Sequence, residues 1–599
     1  MDKKPSLLPT MYLPPPQLGP VKRMIFACIW PMIRGLLKLR GVDKIYQCGM
    51  AQVESDRVAE GCLQGAQIQY EFDPETLNRI PAEGPVLVIS NHPYGMADGL
   101  LQAHIIQSVR SDTMQLVNKM LSVFPELAKR YIFVDPFDSE AARRGNTSPL
   151  RDALSWLKKG HLLATFPSGT VSHRTWEQPE SLDPAWNPSI YMLAKRSGAT
   201  VVPIWFEGQN GPLFQWGGLI SPKLRTMLIP RYLCSMKGKP LRARIGSPIS
   251  SDRLREFSDR TTAIEYLRSR VYLLGDLSGD SHMKSHTPQP VGSSATSSQE
   301  GPDPSVFESE IEHLPDSQHL CASGDLAVHM ASASQIPELL REIGRLREIT
   351  FRQVGEGTGK EIDLDEYDQT YRHLFVWNTK SREVVGAYRM GLTDEILSGP
   401  GIDGFYTRTL FDYDETILDR FGDAIELGRS FIRPEYQKGF KPLMLLWRGI
   451  STFAALNRRY RRCFGVVSMS HEYAETSKLL LTRWLMNEHR IEGDLIKART
   501  PWSATKPLPG VDIDALAAQC RSIEDVDELV RDIEPSGMGV PVLVRQYLKL
   551  EAKLLAPFNI DRSFADVIDA LMLVDFMQVD RRIALFYLGA DLANAFRNH

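Results

Sequence analysis

Residues 275–305, GDLSGDSHMKSHTPQPVGSSATSSQEGPDPS, are rich in Ser, Gly and Pro and nearly free of large apolar side chains. Such a stretch cannot bury enough surface to offset the entropy of ordering it, which predicts a flexible linker. A chain so divided folds as at least two bodies, and 599 residues already exceed what one hydrophobic core organises. No repeat relates the flanking halves, so they are unlike domains and not a duplication. The expected division is a membrane-binding segment over 1–45, a first domain over 46–274, a linker over 275–320 and a second domain over 321–599.

A formal net charge of −3 excludes a globally basic nucleic-acid binder. The seven cysteines are scattered without close pairs, which argues for a reducing compartment and against a zinc site, and no metal is expected. The start, MDKKPSLLPTMYLPPPQLGP, lacks the continuous apolar core of a cleavable signal. After it, the apolar run Met24–Ile33 is broken by Pro31 and followed by Arg34. That is short of the roughly 20 apolar residues that cross a bilayer. Flanked by Lys22, Arg23, Lys38 and Arg40, it reads equally as a helix lying in an anionic membrane interface or as a core helix of the first domain.

In the first half the runs GPVLVIS, YIFV, GHLLATF and TVVPIWF read as buried strands separated by helical stretches, an α/β layout with a mostly parallel sheet. Ligands of such sheets gather beyond the carboxyl ends of the strands. Asn91 and His92 follow one such end, Pro167, Ser168 and Gly169 a second, Glu207 and Gly208 a third. With Asp98 accepting from one ring nitrogen, His92 can take the proton of a substrate hydroxyl with the other. The hydroxyl then attacks an activated acyl donor, with backbone donors around Phe166–Thr170 for the oxyanion.

His92 and Asp98, an arginine in EAARRGN, the block FPSGTVS and VVPIWFEGQNG together resemble the glycerolipid acyltransferases. The resemblance implies that His92 and Asp98 are catalytic and that Asn91, Ser168 and Gly169 meet the substrate, while Arg143 or Arg144 reads either as a holder of an anionic head group or as part of a solvated helix face. Two features depart from that family. Five residues separate His92 from Asp98 where four are usual, and the family's phosphate-associated PEG is Pro167, Ser168, Gly169 here. Loss of that glutamate argues against a glycerol-phosphate acceptor.

After the linker, LREITFRQVGEGTGKEIDLDEYDQTYRHLFVWN joins a helix over 337–351 to an acid-rich loop and a strand, REVVGAYRMGL pairs with that strand, and AIELGRSFIRPEYQKG leads from a strand into a turn and helix. These blocks resemble the acyl-carrier N-acyltransferases of the acetyltransferase (GNAT) superfold, ornithine-lipid synthases above all, and FGVVSMSHEY with the tail 541–575 extends the likeness to their hemolysin-like branch. The matching positions are Arg347, Phe351, Asp365, Asp368, Arg389, Glu426 and Arg429, and the resemblance implies that Arg347, Asp365, Asp368, Arg389 and Arg429 meet the substrate. An amine must lose its proton before it attacks, and Glu426 is the candidate acceptor. Asp365, Asp368, Arg389 and Arg429 read either as a network that positions the acceptor or as a structural one. RPEYQKGFK stands where the superfold holds phosphopantetheine at a helix N-terminus. The four arginines of RRYRRC, 458–463, read equally as a docking patch for an acidic carrier protein or anionic lipid and as a solvated helix end.

The combined reading is a bifunctional acyltransferase of aminolipid synthesis at the cytoplasmic face of the inner membrane. The second domain N-acylates an amino acid, ornithine by the resemblance, with a 3-hydroxyacyl chain, and the first O-acylates the resulting lyso-lipid. It needs no cofactor beyond acyl-carrier-protein or coenzyme A thioesters. The rival readings are a lysophospholipid acyltransferase with an accessory domain and a non-catalytic membrane scaffold.

Overall fold

The structure, a computed structural model, describes residues 34–51, 57–123, 129–135, 145–276, 303–354, 356–493, 496–504 and 508–590. The chain divides into two compact units, Met1–Asp276 with Leu508–Asp512, and Leu277–Pro507 with Ile513–His599.

Among the described residues of the first unit the strands are β1 (Gln69–Glu71), β2 (Val86–Ser90), β3 (Thr113–Asn118), β4 (Tyr131–Val134), β5 (Leu162–Thr165), β6 (Thr200–Phe206) and β7 (Pro240–Ile245). They form one sheet in the order β1-β7-β6-β2-β5-β3-β4. Every neighbouring pair is parallel except β6 with β7. All five residues of β2 are buried, as expected for a central strand covered on both faces. Because β5, β2 and β6 are adjacent and parallel, the three turns singled out in the sequence leave the same edge side by side.

The expected membrane segment 1–45 lies outside the described residues up to Ile33, and its remainder is built into this unit. Leu37, Leu39 and Val42 are buried. The helix Leu39–Met50 crosses the helix Val58–Ala66 so closely that a Cβ on Gly65 would stand 2.3 Å from the Ile45 carbonyl oxygen. No helix among the described residues is long and apolar enough to cross a membrane.

The expected linker lies outside the described residues over 277–302, but 303–320 is folded. A helix, Pro304–Glu312, is capped by Asp303 and buries Phe307 and Ile311 in the core of the second unit, so the linker reading extended too far. The remaining strands are β8 (His319–Ser323), β9 (Leu326–Ser332), β10 (Arg372–Asn378), β11 (Glu383–Leu392), β12 (Phe411–Asp412), β13 (Ala424–Ile432), β14 (Arg462–Met469), β15 (Lys497–Ala498), β16 (Lys553–Leu554), β17 (Asn559–Asp561) and β18 (Val567–Asp575). Strand order is β16-β18-β14-β13-β11-β10-β9-β8, with β17 also on β18 and β12 paired to β15 apart. The helix Pro337–Gln353 packs its apolar side into one face of the large sheet. The helix Lys441–Leu456 lies on the other, where Trp447 meets Tyr388 and Tyr547.

Two irregularities in β13 shape this unit. The strand pairs with parallel β14 only from Ala424↔Arg462 to Leu427↔Gly465, after which the two part. One extra residue on β13, between the pairs Gly428↔Arg389 and Phe431↔Ala387, makes a bulge at which Arg429 takes a φ of +50°. A bulge re-aims side chains, and here it turns Arg429 onto the face that carries Arg389 and Glu426.

Candidate active sites

In the first unit Asp98 sits in the first turn of the helix Met96–Val109, where a carboxylate complements the positive helix end. Its Oδ2 accepts from the backbone N–H of Tyr94 (2.8 Å) and Gly95 (3.2 Å), and its Oδ1 from that of Gly99 (2.8 Å). These bonds fold the loop back, so the longer His92–Asp98 interval does not separate the pair: His92 Nδ1 stands 3.3 Å from Asp98 Oδ2. The Asp98 side chain is wholly buried while 15% of the His92 side chain reaches solvent, so the pair has a closed inner end and an outer end open to solvent.

His92 is also held by groups that the sequence did not reveal. Phe166 stacks on its ring at 3.9 Å between centroids. The buried Asp183 accepts from the His92 N–H at 3.2 Å, from Ser172 Oγ and from Trp186 Nε1, while the Ser172 N–H donates to the His92 carbonyl. Burial pushes the Asp183 carboxyl up, and Ser172, Trp186 and His92 oppose that rise. A lone Asp in PESLDPAW carries no spacing signal, and only the fold brings it back across 91 residues.

The other expected contacts of this site prove mostly internal. Asn91 is buried and clasps Phe206, donating to its carbonyl (2.9 Å) and accepting from its N–H (2.7 Å). It therefore pins β2 to β6. Ser168 Oγ donates to the Thr170 carbonyl and the Gly169 N–H to that of Phe166, so both shape the turn. Gly208, with φ +113°, admits the Tyr94 hydroxyl where a Cβ would lie 2.0 Å from it. Arg144 lies outside the described residues.

In the second unit the expected residues come together as a closed charge lattice. Arg347 and Asp368, each 1% exposed at the side chain, pair at 3.2 Å. Arg389 bonds Asp365 and stands 3.3 Å from Asp368, with its guanidinium over the rings of Tyr367, Tyr371 and Tyr406. Arg429 approaches Asp363 at 3.3 Å and Asp365 at 3.5 Å, and donates to Tyr406 Oη. Three arginines thus balance Asp363, Asp365 and Asp368. Burial opposes the charge on Asp368, but Arg347 and Arg389 outweigh it and hold its carboxyl down to about 2. Arg347 and Asp368, expected to meet substrate, are instead interior partners of each other.

Glu426 belongs to the same face and is 1% exposed. Its two oxygens accept from Tyr371 Oη and from the Thr407 N–H (2.7 Å), and Tyr371 in turn accepts from the Tyr406 N–H. Burial raises its pKa against those hydrogen bonds. Its surroundings make it an anchor for the 404–407 loop, with one donor already on each oxygen. Of the RRYRRC arginines, Arg459 pairs with Asp394 (2.9 Å) and Arg462 with Asp575 (2.8 Å), and Tyr460 is buried, so much of that cluster serves the fold. The turn after β13 leads through Pro434–Tyr436 into the helix Lys441–Leu456, whose N-terminus no side chain caps.

A His–Asp pair beyond the carboxyl end of β2 and a splayed β13–β14 pair on a second sheet fit a two-domain acyltransferase. Comparison with known proteins agrees. A family model described as Acyltransferase matches residues 44–280, and one described as Acetyltransferase (GNAT) domain matches 346–448. The chain is 31% identical over 275 residues to a glycine Nα-acyltransferase of Phocaeicola vulgatus, covering 43% of this chain and 82% of that protein. It is 27% identical over 278 residues to an L-ornithine Nα-acyltransferase of Rhodobacter capsulatus, covering 44% of this chain and 96% of that one. A lyso-glycine lipid O-acyltransferase of Phocaeicola vulgatus is 25% identical over 156 residues, 26% of this chain and 53% of that protein. The chain belongs to the family of Nα-acyltransferases that the first of these represents, and it carries an O-acyltransferase-like domain as well.

Proposed function

We propose that the chain makes a diacylated, phosphorus-free aminolipid in two steps. The second unit transfers a 3-hydroxyacyl group from acyl carrier protein to the α-amine of an amino acid of the glycine or ornithine class. The first unit then acylates the new 3-hydroxyl, whose proton passes to His92. One observation carries the proposal: an N-acyltransferase fold and a His92–Asp98 dyad without the phosphate-associated glutamate occupy one chain. The first product is the kind of hydroxyl that the second site takes, and joining the sites raises its local concentration. The uncapped N-terminus of the helix Lys441–Leu456 supports a phosphopantetheine donor, since unpaired N–H groups and the helix dipole favour phosphate there.

Work at a membrane surface fits the hairpin Pro212–Ile220 and Pro222–Ser235, which emerges from the β6 turn beside the His92 loop. Trp216 is 64% and Ile220 80% exposed, with Leu213 and Met227 also in solvent. Residues 212–235 contain no Asp or Glu and carry a partly exposed Arg231, a composition suited to an anionic bilayer.

The test is expression of the full chain in a host that lacks such lipids and any O-acyltransferase able to use the intermediate, with isotope-labelled glycine and ornithine and mass spectrometry of total lipid. A labelled diacyl aminolipid is expected, and His92→Ala should accumulate the labelled monoacyl form. Diacyl product from the His92→Ala protein, or no labelled lipid from the parent chain, refutes the proposal.

A further inference from the structure

The side-chain alternation of strands, with the registers of this sheet, puts Arg389 of β11, Glu426 of β13, Ser468 of β14 and Asp569 of β18 on one face. Ser468 lies three residues beyond the last β13–β14 pair, where the strands have parted, and Asp569 is its direct cross-strand partner. The two carboxylates of this face differ in what they bind. Glu426 has both oxygens engaged. Asp569 accepts from Ser468 Oγ at 2.7 Å through Oδ1, but its Oδ2 accepts no hydrogen bond from any described residue although the side chain is 1% exposed. Buried carboxylate oxygens are satisfied in all but a few cases, and the exceptions mark strain, a catalytic role or a place for water or an ion.

The geometry points to Asp569 as the catalytic base of N-acyl transfer, its Oδ2 receiving the proton of the acceptor's ammonium group in the opening between β13 and β14. This rests on the N-acyltransferase reading of the second unit. The ammonium gives one proton to Asp569, and the freed nitrogen lone pair attacks the thioester carbonyl. The C–N bond forms and the C–S bond breaks with its electron pair on sulfur. A second N–H proton passes to the thiolate, leaving amide, thiol and a protonated Asp569 that returns its proton to water.

The surroundings suit that task. Burial pushes the Asp569 carboxyl up to about 8, with Asp561 and Glu356 adding to the rise and Ser468 and Arg429 opposing it. Glu356, from the loop after the helix Pro337–Gln353, is itself raised to about 7 by burial and by Glu472. Tyr406 reaches both Arg429 and, at 3.4 Å, Asp561, which ties this acidic corner to the charge lattice. A base poised near the working pH transfers protons most effectively.

The full chain is assayed with 3-hydroxyacyl-loaded acyl carrier protein and glycine or ornithine across pH, alongside O-acylation of supplied lyso-lipid as a control. For the parent chain, N-acylation should rise with pH through about 8, because the base must be unprotonated. Asp569→Asn should lower that rate roughly 10²- to 10⁴-fold and abolish the rise, with O-acylation kept. Ser468→Ala removes a donor that favours the charged carboxylate, so it should move the rise to higher pH. An Asp569→Asn protein that N-acylates at the parent rate with the rise intact overturns the assignment, as does a Ser468→Ala profile that stays in place should Asp569→Asn not fold. A parent chain that O-acylates but N-acylates neither amino acid overturns the underlying reading as well.

Discussion

Asp98→Asn separates what the Asp98 charge does from what its shape does. The carboxylate takes three backbone N–H groups, those of Tyr94 and Gly95 on Oδ2 and that of Gly99 on Oδ1. An asparagine has one acceptor oxygen. In either orientation its NH2 faces at least one of those donors, which is then buried without a partner at about 1–3 kcal/mol. The larger effect is on the reaction. His92 becomes positively charged as it takes the substrate proton, and the neutral amide neither stabilises that charge nor favours the tautomer that leaves the outer nitrogen free. In the Ser-His-Asp enzymes the analogous change lowers kcat about 10⁴-fold, and a loss of about 10³- to 10⁴-fold is expected here. The assay is O-acylation of purified lyso-aminolipid by the full chain, with a thermal melt of the same preparation. Retained O-acylation in a protein whose melt has dropped as expected would refute the dyad, since the fold would need Asp98 and the chemistry would not.

Other perturbations reach different parts of the chain. Arg347→Leu leaves Asp368 short of a cation in an interior where both side chains are 1% exposed, so the second unit should lose about 3–5 kcal/mol, read as an earlier unfolding transition in denaturant. Trp216→Glu should weaken cosedimentation with anionic vesicles without changing O-acylation of detergent-dispersed lyso-lipid. The Arg110 side chain, with His161, holds the Asp112 carboxyl down to about 2. A depressed carboxylate stabilises the fold above its unfolded pKa and loses that contribution as pH falls through the folded value. Asp112→Asn should therefore flatten the decline in melting temperature between about pH 4 and pH 2 relative to the parent.

The amino-acid sequence by itself determined the elements and the chemistry that lie along the chain. VLVIS, YIFV, LLAT and TVVPIWF are strands because unbroken apolar runs between polar turns have no other economical burial, and the turns after β2, β5 and β6 converge because parallel neighbours end together. His92 and Asp98 were legible because a short loop joins them, and Arg347, Asp365, Asp368, Arg389, Glu426 and Arg429 because each lies in a dense local motif. What those residues touch was decided only by tertiary structure. Asn91 clasps a strand, Arg347 and Asp368 neutralise each other, and each oxygen of Glu426 holds a donor, because burial forces polar groups to find partners that no local pattern names. The same rule hid Asp183 and Asp569, single aspartates without spacing, whose meaning comes from contacts 91 and 101 residues away. The helix Pro304–Glu312 is not legible in the sequence for a related reason: Phe307 and Ile311 are too few to suggest a core until the second unit supplies the other side of it.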